Sequence, residues 1–414
     1  MVSRRVLAGV MLAAALCAGP GPAAAQTADD LFNDQALQRI DLWVHTRDWY
    51  LLRAFPDSGE RYPANLKWNG QTVTNVAIRL RGMGSRSAVK PALRVDFDHY
   101  ATGQTFLGLK TISLRNSHQD PSGLRELLTM KTYRAMGLPA PRMAPAALYV
   151  NNTYYGYYIV TEEVDEPFLA RVYGEDTGHL FEYRWAFYYY MEYLGTDLGA
   201  YATIYDPRTR ETESQGSLYL PVEAMIRTIN EASDADFVPA VSQYLVPDAF
   251  IRLTAAQAAI AECDGLLGNW GVNNHYLYRM NARTVHQFIP WDASSSLRAL
   301  DYPLHAGHDE NVLMRRAMAV PSLQQLYYDT LLEAANLFDS VDGAAAEPGP
   351  GWLEREATRL LGLIRPAMYA DQVKPYTNDE FEAGAAEVVT FAQLRGGFVR
   401  WEARRFKVGG RPVY

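Results

Sequence analysis

The sequence predicts an α+β fold in two parts, a sheet-rich half to about residue 165 and a helix-rich half over 166–414. Three observations carry this. Early segments such as "RIDLWVHT" and "NVAIRLRG" alternate apolar and polar residues, as half-buried strands do. Later segments such as "SLYLPVEAMIRTINEA", "VPDAFIRLTAAQAAIAE", "PSLQQLYYDTLLEAANLFDSV" and "WLEREATRLLGLIRPAMYA" repeat apolar residues at helical spacing. One short hairpin, "NHYLYRM" and "TVHQFIP" joined at "NAR", sits among those helices.

In order along the chain, "LKWNGQTV" places Asn-Gly between two apolar runs, which is a strong hairpin signal. "RGMGSRSAVK" reads as a Gly/Ser loop and "ALRVDFD" as the strand after it. "DPSGLRELLTMKTYRAMG" reads as a helix capped by Ser122 and ended by Gly137. "AALYVNNTYYGYYIVTEEV" reads as a second hairpin. The one short linker falls near Asp165–Pro167, and "DGAAAEPGPG" (342–351) is a surface loop between helices.

With 414 residues, 48% of them hydrophobic, the chain can bury a large core. Its formal charge of −8 argues against broad nucleic-acid binding through phosphate neutralisation. Residues 1–26 read as an export signal. Arg4 and Arg5 precede the apolar run "VLAGVMLAAALCAG", and "PAAAQ" offers small residues for cleavage. A secreted or periplasmic protein with no transmembrane segment is expected, and after cleavage it keeps one cysteine, Cys263. That thiol has no His partner in its motif and reads as a packed residue.

The chemistry concentrates in "AECDGLLGNWGVNNHYLYRMNARTVHQFIPWDASSSL", residues 261–297. A helix delivers Asp264 onto a loop, and the second hairpin strand runs back to leave Asp292 at its end. Asp264, Asn269 or Asn274, and Asp292 are therefore placed to converge. Two carboxylates about 4 Å apart repel by roughly 4 kcal/mol at an effective dielectric of 20, so such a pair wants a proton or a cation. Carboxylate and amide oxygens suit Mg²⁺, Mn²⁺ or Ca²⁺. An Asp, an Asn five positions on and a second Asp after a hairpin follow the logic of phosphoryl transfer. The bland alternative is a hairpin with Asp and Asn in its turns.

"DGLLGNWGVNNHYLY" followed by "FIPWD" resembles the CotH (spore coat protein H) kinase family. So do "VAIRLRGMGSRS…KPALRVDF" and "LRELLTMKTYRAMGLPAPRMAPAALYVNNTYYGYYIVTEEVDEPFL", in the same order, and the resemblance spans about residues 37–300. It implies an atypical protein-kinase-like, two-lobed fold, with residues 27–165 as the N-lobe and 166–414 as the C-lobe. It implies transfer of the ATP γ-phosphate to a protein hydroxyl, with Mg²⁺ or Mn²⁺. By this resemblance Asp264 is the catalytic acid, and Asp292, Asn269 and Asn274 hold metal. Lys90 contacts nucleotide phosphates with Glu126 as its ion-pair partner, and Glu162 lies where the lobe connection meets the adenine. Arg81, beside Gly82, adds a basic group for the nucleotide.

The chain also departs from the family. Glu262 and Cys263 precede Asp264 in place of His-Arg, "RGMGSRS" is not a full G-x-G-x-x-G loop, the second acid is followed by "ASSS", and Gly271 stands where many relatives have Asp. These departures support a second reading, a catalytically inactive pseudokinase serving as a surface or envelope binding protein. A hydrolase using paired acids on a sugar leaves the hairpin amides without a role. The aromatic runs "YYGYY" and "FYYYMEY" read as packing residues or as a binding platform for peptide or sugar.

Overall fold

The computed structural model describes residues 26–82, 84–341, 349–408 and 411–412. Residues 1–25 of the expected export signal, Met83 of the Gly/Ser loop and 342–348 of the loop between helices lie outside the described residues. Among the described residues, no helix is long and apolar enough to cross a membrane.

The first half runs α1 (Ala28–Leu31), β1 (Gln38–Val44), α2 (Thr46–Ala54), β2 (Tyr62–Trp68), β3 (Gln71–Leu80), β4 (Leu93–Asp96), β5 (Thr111–Arg115), α3 (Arg125–Ala135), β6 (Met143–Val150) and β7 (Thr153–Glu162). The seven strands close into a barrel in the order β1-β2-β3-β4-β5-β7-β6. An odd ring cannot alternate direction all the way round, so one neighbouring pair must be parallel. That pair is β1 with β6, Gln38 opposite Ala146. The Asn69–Gly70 turn joins β2 to β3 with positive φ at both residues, as two-residue hairpin turns require. Asn151 and Asn152 do the same between β6 and β7.

The barrel is filled from inside by residues such as Leu42, Leu66, Ile78, Val95, Ile112, Leu148 and Val160, each with almost no exposure. Its edges are paired, which leaves no open strand for association. The helix α3 is held at its start by Asp120, whose carboxylate accepts from Ser122 N at 3.0 Å and Arg125 N at 2.9 Å. Asp120 thus does the work expected of Ser122, because the chain coils back once more before the helix begins. Gly137 follows the helix with φ +72°, as expected of a helix end.

The second half runs α4 (Glu166–Tyr173), β8 (His179–Tyr183), α5 (Leu198–Ile204), β9 (Tyr205–Pro207), α6 (Gln215–Glu231), α7 (Phe237–Val241), α8 (Pro247–Ala259), β10 (His275–Arg279), β11 (His286–Pro290), α9 (Val312–Met318), α10 (Pro321–Phe338), α11 (Trp352–Ala370) and α12 (Asn378–Ala403). The expected hairpin is β10–β11, and it widens into a four-stranded sheet, β11-β10-β8-β9. The four helices expected from spacing are α6, α8, α10 and α11. The longest helix, α12, carries glycines at 384, 396 and 397, which weaken its apolar periodicity in the sequence. Two of these allow close packing: Gly384 lies against Pro121 and Ser122, and Gly396 against Asp339.

The halves share a core. Residues of α3 such as Leu127, Leu128 and Met130, with Tyr157 and Ile159 of β7, belong to the same buried cluster as α8, α10, α11 and α12. Lys90 and Asp371, both sealed from solvent, add an ion pair of 2.7 Å across this junction.

Candidate active site

The loop after α8 is built to present Asp264. Glu262 N reaches back to Gln257 O at 2.8 Å, and Leu266 N to the Gln257 side chain at 3.1 Å. Asn269 N closes on Cys263 O at 2.8 Å, and Asn273 N on Gly265 O at 3.2 Å. These bonds fold residues 262–274 tightly around the acid. Asp264 Oδ1 accepts from the Asn273 amide at 2.8 Å, and Asp264 O accepts from the Asn274 amide at 2.9 Å. Burial pushes the Asp264 carboxyl above its usual range; the Asn273 hydrogen bond opposes this, and the charge of Asp292 adds to it.

Asp292 follows β11. Trp291 N bonds Asn274 O at 3.0 Å, so the open end of the hairpin sets Asp292 beside the Asp264 loop. Asn274 and Asp292 both have left-handed backbone, φ +48° and +47°. Asn and Asp tolerate that region best among residues with a Cβ, and such conformations concentrate at functional sites.

From the barrel side comes Arg115, the last residue of β5. Its guanidinium bonds Glu126 of α3 at 2.7 Å and also donates to Asp292. Arg81 forms an ion pair with Glu163, its Nη1 3.6 Å from the carboxylate. Arg81 and Arg115 both lie over the Trp291 ring, 5.1 and 5.4 Å from its centroid. Burial would raise Glu163, but Arg81 and Arg94 overcome it and hold that carboxyl at about 2. Glu126 shares its arginine with Asp292. Its burial therefore wins over Arg115, and its carboxyl is pushed up to about 7.

Asp264, Asn273, Asn274, Asp292 and Arg81 line one open cleft of about 680 Å³ between barrel and helices. That is ample for a ligand of nucleotide size. Arg115 and Glu126 line a recess beside it, with Arg81 and Asp292 at the shared wall. In that recess Arg81 Nη1, Arg115 Nη1, Glu126 Oε1, Ser117 Oγ and His118 Nδ1 are buried without a hydrogen-bond partner. Buried polar atoms are normally satisfied, so such a cluster marks a place where water or a polar ligand belongs.

Of the residues expected at the site, the structure brings Asp264, Asn274, Asp292, Arg81 and Glu126 together. Lys90 is elsewhere, paired with Asp371, and Glu126 has Arg115 as its partner instead. Asn269 is exposed and meets the Tyr302 hydroxyl at 3.4 Å, outside the cleft lining. Glu162 is gripped by Arg142 and Arg171, 2.6 Å each, while its neighbour Glu163 faces the cleft arginines. The residues sequence reasoning missed are Arg115, Asn273 and Glu163. A signal for Arg115 was present: it ends the apolar run "TISLR" and is followed by a helix bearing an acid in its first turn.

The family profile described as CotH kinase protein matches residues 78–399. Inner spore coat protein H of Bacillus subtilis (strain 168) is 27% identical over 389 residues, covering 89% of this chain and 98% of that protein. Both matches run across the cleft from the barrel strands to the last long helix. The chain belongs to the CotH kinase protein family.

Proposed function

We propose that this protein is a protein kinase acting outside the cytoplasm, with barrel and helical half serving as the two lobes of a kinase-like fold. The observation that carries the reading is one cleft lined by Asp264 and Asp292, with the Arg115–Glu126 pair meeting Asp292 from the recess beside it. A strand cation paired to a helix acid, beside an acid that follows a hairpin, is the arrangement phosphoryl transfer from ATP uses. In this reading Arg115 takes the part first expected of Lys90.

The residues fit the groups the reaction needs. Arg115 has a buried Nη1 without a hydrogen-bond partner, and Arg81 Nη1 meets Glu163 only at a long 3.6 Å, so both guanidinium groups suit phosphate oxygens. Asp292 and the amide oxygens of Asn273 and Asn274 are hard donors, and Mg²⁺ or Mn²⁺ is held by one or two carboxylates together with substrate phosphates. A bound cation would neutralise phosphate charge. Asp264 orients the acceptor hydroxyl and takes its proton, and its raised carboxyl brings it closer to the pH at which a base is effective. Asn273 fixes the orientation of that carboxylate. The spore-coat relative and the apolar stretch "VLAGVMLAAALCAG" support an exported setting.

One observation favours the second reading, a pseudokinase. Arg115 already occupies Asp292, so a cation must compete with a guanidinium. Thermal unfolding with ATP and Mn²⁺, measured beside phosphate transfer, separates the two. Saturation at a hundredfold excess over Kd should add about 2.7 kcal/mol of stability. Asp292→Asn should lose that stabilisation. Asp264→Asn should keep it and lose transfer by about 10²- to 10⁴-fold. Stabilisation without transfer by the wild type supports the pseudokinase, and neither effect sinks both nucleotide readings.

A further inference from the structure

A second pocket, of about 380 Å³, opens where the outer face of the barrel meets the start of α4. It shares only Arg208 with the lining of the Asp264 cleft. Ile78, Val95 and Ile112 fill the barrel interior, so strand alternation turns Arg79 of β3 and Arg94 and Asp96 of β4 outward.

The basic groups here outnumber their partners. Arg79 stands directly opposite Arg94 in the β3–β4 ladder, and like charges so placed weaken a sheet. Arg61, just before β2, brings a third guanidinium. All three meet Asp96: Arg94 at 2.9 Å, Arg61 at 3.4 Å and Arg79 at 3.9 Å. Glu163 lies 3.5 Å from Arg94, but it also serves Arg81. At 3.9 Å Arg79 Nε makes an ion pair but no hydrogen bond, although the atom is buried. Burial and then the charge of Arg94 lower the pKa of Arg79 against the pull of Asp96. The β3–β4 pair therefore carries a repulsion that an added anion would relieve.

The remaining charges do not fill that need. Lys110 is engaged by Glu166 at 3.1 Å, and Arg208 by Glu182 and Asp206. Asp98 and Glu211 are exposed, where water and salt screen them. Asp165, at the start of α4, has its Oδ2 buried without a hydrogen-bond partner. Burial, aided by the charges of Glu163 and Glu166, pushes its carboxyl well above the ordinary 3.8, so it keeps a proton to donate.

A planar carboxylate accepts around its edge, whereas a tetrahedral phosphate accepts on every side and carries up to two negative charges. Donors gathered from two strands, the segment before β2 and the α4 connection suit the second shape. We propose that Arg61, Arg79 and Arg94 bind a phosphate group in this pocket, at a site separate from the Asp264 cleft. The proposal does not rest on the phosphotransfer reading. Free orthophosphate and a phosphomonoester share the required chemistry.

Thermal unfolding of the whole protein in orthophosphate or O-phosphoserine, against chloride at matched ionic strength, tests this. The melting temperature should rise and level off at saturation, and the more tightly held of the two identifies the source. Arg79→Gln should weaken that binding at least tenfold. Its unliganded melting temperature should be equal or higher, because the like-charge pair is gone. Arg61→Gln, at the most exposed of the three arginines, gives the same binding readout if Arg79→Gln does not fold. No saturable response to either probe, or undiminished binding in the variant, overturns the proposal. Orthophosphate should also stabilise the protein in saturating ATP and Mn²⁺. If ATP abolishes the orthophosphate response, the pocket belongs to the nucleotide and the proposal falls. If ATP has no effect of its own, the nucleotide reading fails and the phosphate site stands.

Discussion

Lys90–Asp371 and Arg115–Asp292 both tie the barrel to the helical half, and both join a long cation to a carboxylate. Their surroundings differ. The side chains of Lys90 and Asp371 are 1% and 0% exposed, and Asp371 is saturated by the backbone N–H groups of Tyr157, Val373 and Lys374 at 2.9 Å each. Arg115 and Asp292 are 12% and 38% exposed, and unpartnered polar atoms surround them. In the first pair the carboxylate is fully hydrogen-bonded, Lys90 Nζ has Asp371 as its ionic partner, and neither ion is open to solvent, so the pair acts as a fastening. The second has unmet needs and an opening, so it can respond to a ligand. The difference lies in what surrounds the ions and not in the ions themselves.

The sharpest way to break this comparison is Lys90→Met. Removing one partner of a sealed pair strands the other, and such changes cost about 3–5 kcal/mol. Burial lowers the pKa of the Lys90 ammonium, and the charge and hydrogen bond of Asp371 oppose that shift. The variant should lose that stability in denaturant unfolding and, where folded, keep its stabilisation by ATP and Mn²⁺. Weakened nucleotide binding by folded Lys90→Met would return Lys90 to the site.

This pair also shows where the sequence was legible. Lys90 sits in "KPALRVDF", and in one dimension it is the lysine nearest a flexible Gly/Ser loop and a following helix acid. Nothing local reveals that Asp371, more than two hundred residues on, comes to cover it. The hairpin was readable because its two strands, its turn and both acids lie within thirty residues, and spacing alone sets their geometry. Asn273 and Asn274 could not be ranked over Asn269 from sequence, because the tight 262–274 loop turns Asn269 outward. Closure of the barrel was equally hidden, since β1 and β6 pair across a hundred residues.

The second test concerns the acid that shares Arg115 with Asp292. Glu126 has its carboxyl raised to about 7 from an ordinary 4.5, chiefly by burial and against Arg115. The folded protein therefore keeps a proton that the unfolded chain releases. The stability tied to this group is full below about pH 4.5 and falls as pH rises to 7, by about 3 kcal/mol. Glu126→Gln should flatten that part of the stability profile. An unchanged slope between pH 4.5 and 7 would show that Arg115 keeps Glu126 ionised, and would make the second pair as settled as the first.

Arg115→Met should be milder for the fold than Lys90→Met. Asp292 can turn to water, and Glu126 is already poised to take a proton, so about 2 kcal/mol is expected. Its effect on ligand should be larger than its effect on stability. Titration with ATP and Mn²⁺ should show affinity weakened by about tenfold or more, the reverse of the Lys90 pattern. Equal affinity in wild type and variant would leave the recess without a role in phosphate binding.

A third pair supplies the open limit of the series. Arg365 of α11 and Glu382 of α12 meet through two parallel bonds, 2.8 and 3.0 Å, with side chains 45% and 35% exposed. Tyr369 adds a hydroxyl to Glu382 at 3.1 Å. The geometry is as good as that of the sealed pair, yet water and salt reach both ions. Exposed pairs of this kind are worth about 0.2–1 kcal/mol in double-mutant cycles. The cycle over Arg365→Ala and Glu382→Ala should return a coupling in that range, and most of it should vanish in 1 M salt, where the screening length is about 3 Å. A coupling of several kcal/mol that survives salt would mean that hydrogen-bond geometry, and not enclosure, sets the strength of these pairs. The contrast drawn between Lys90–Asp371 and Arg115–Asp292 would then lose its basis.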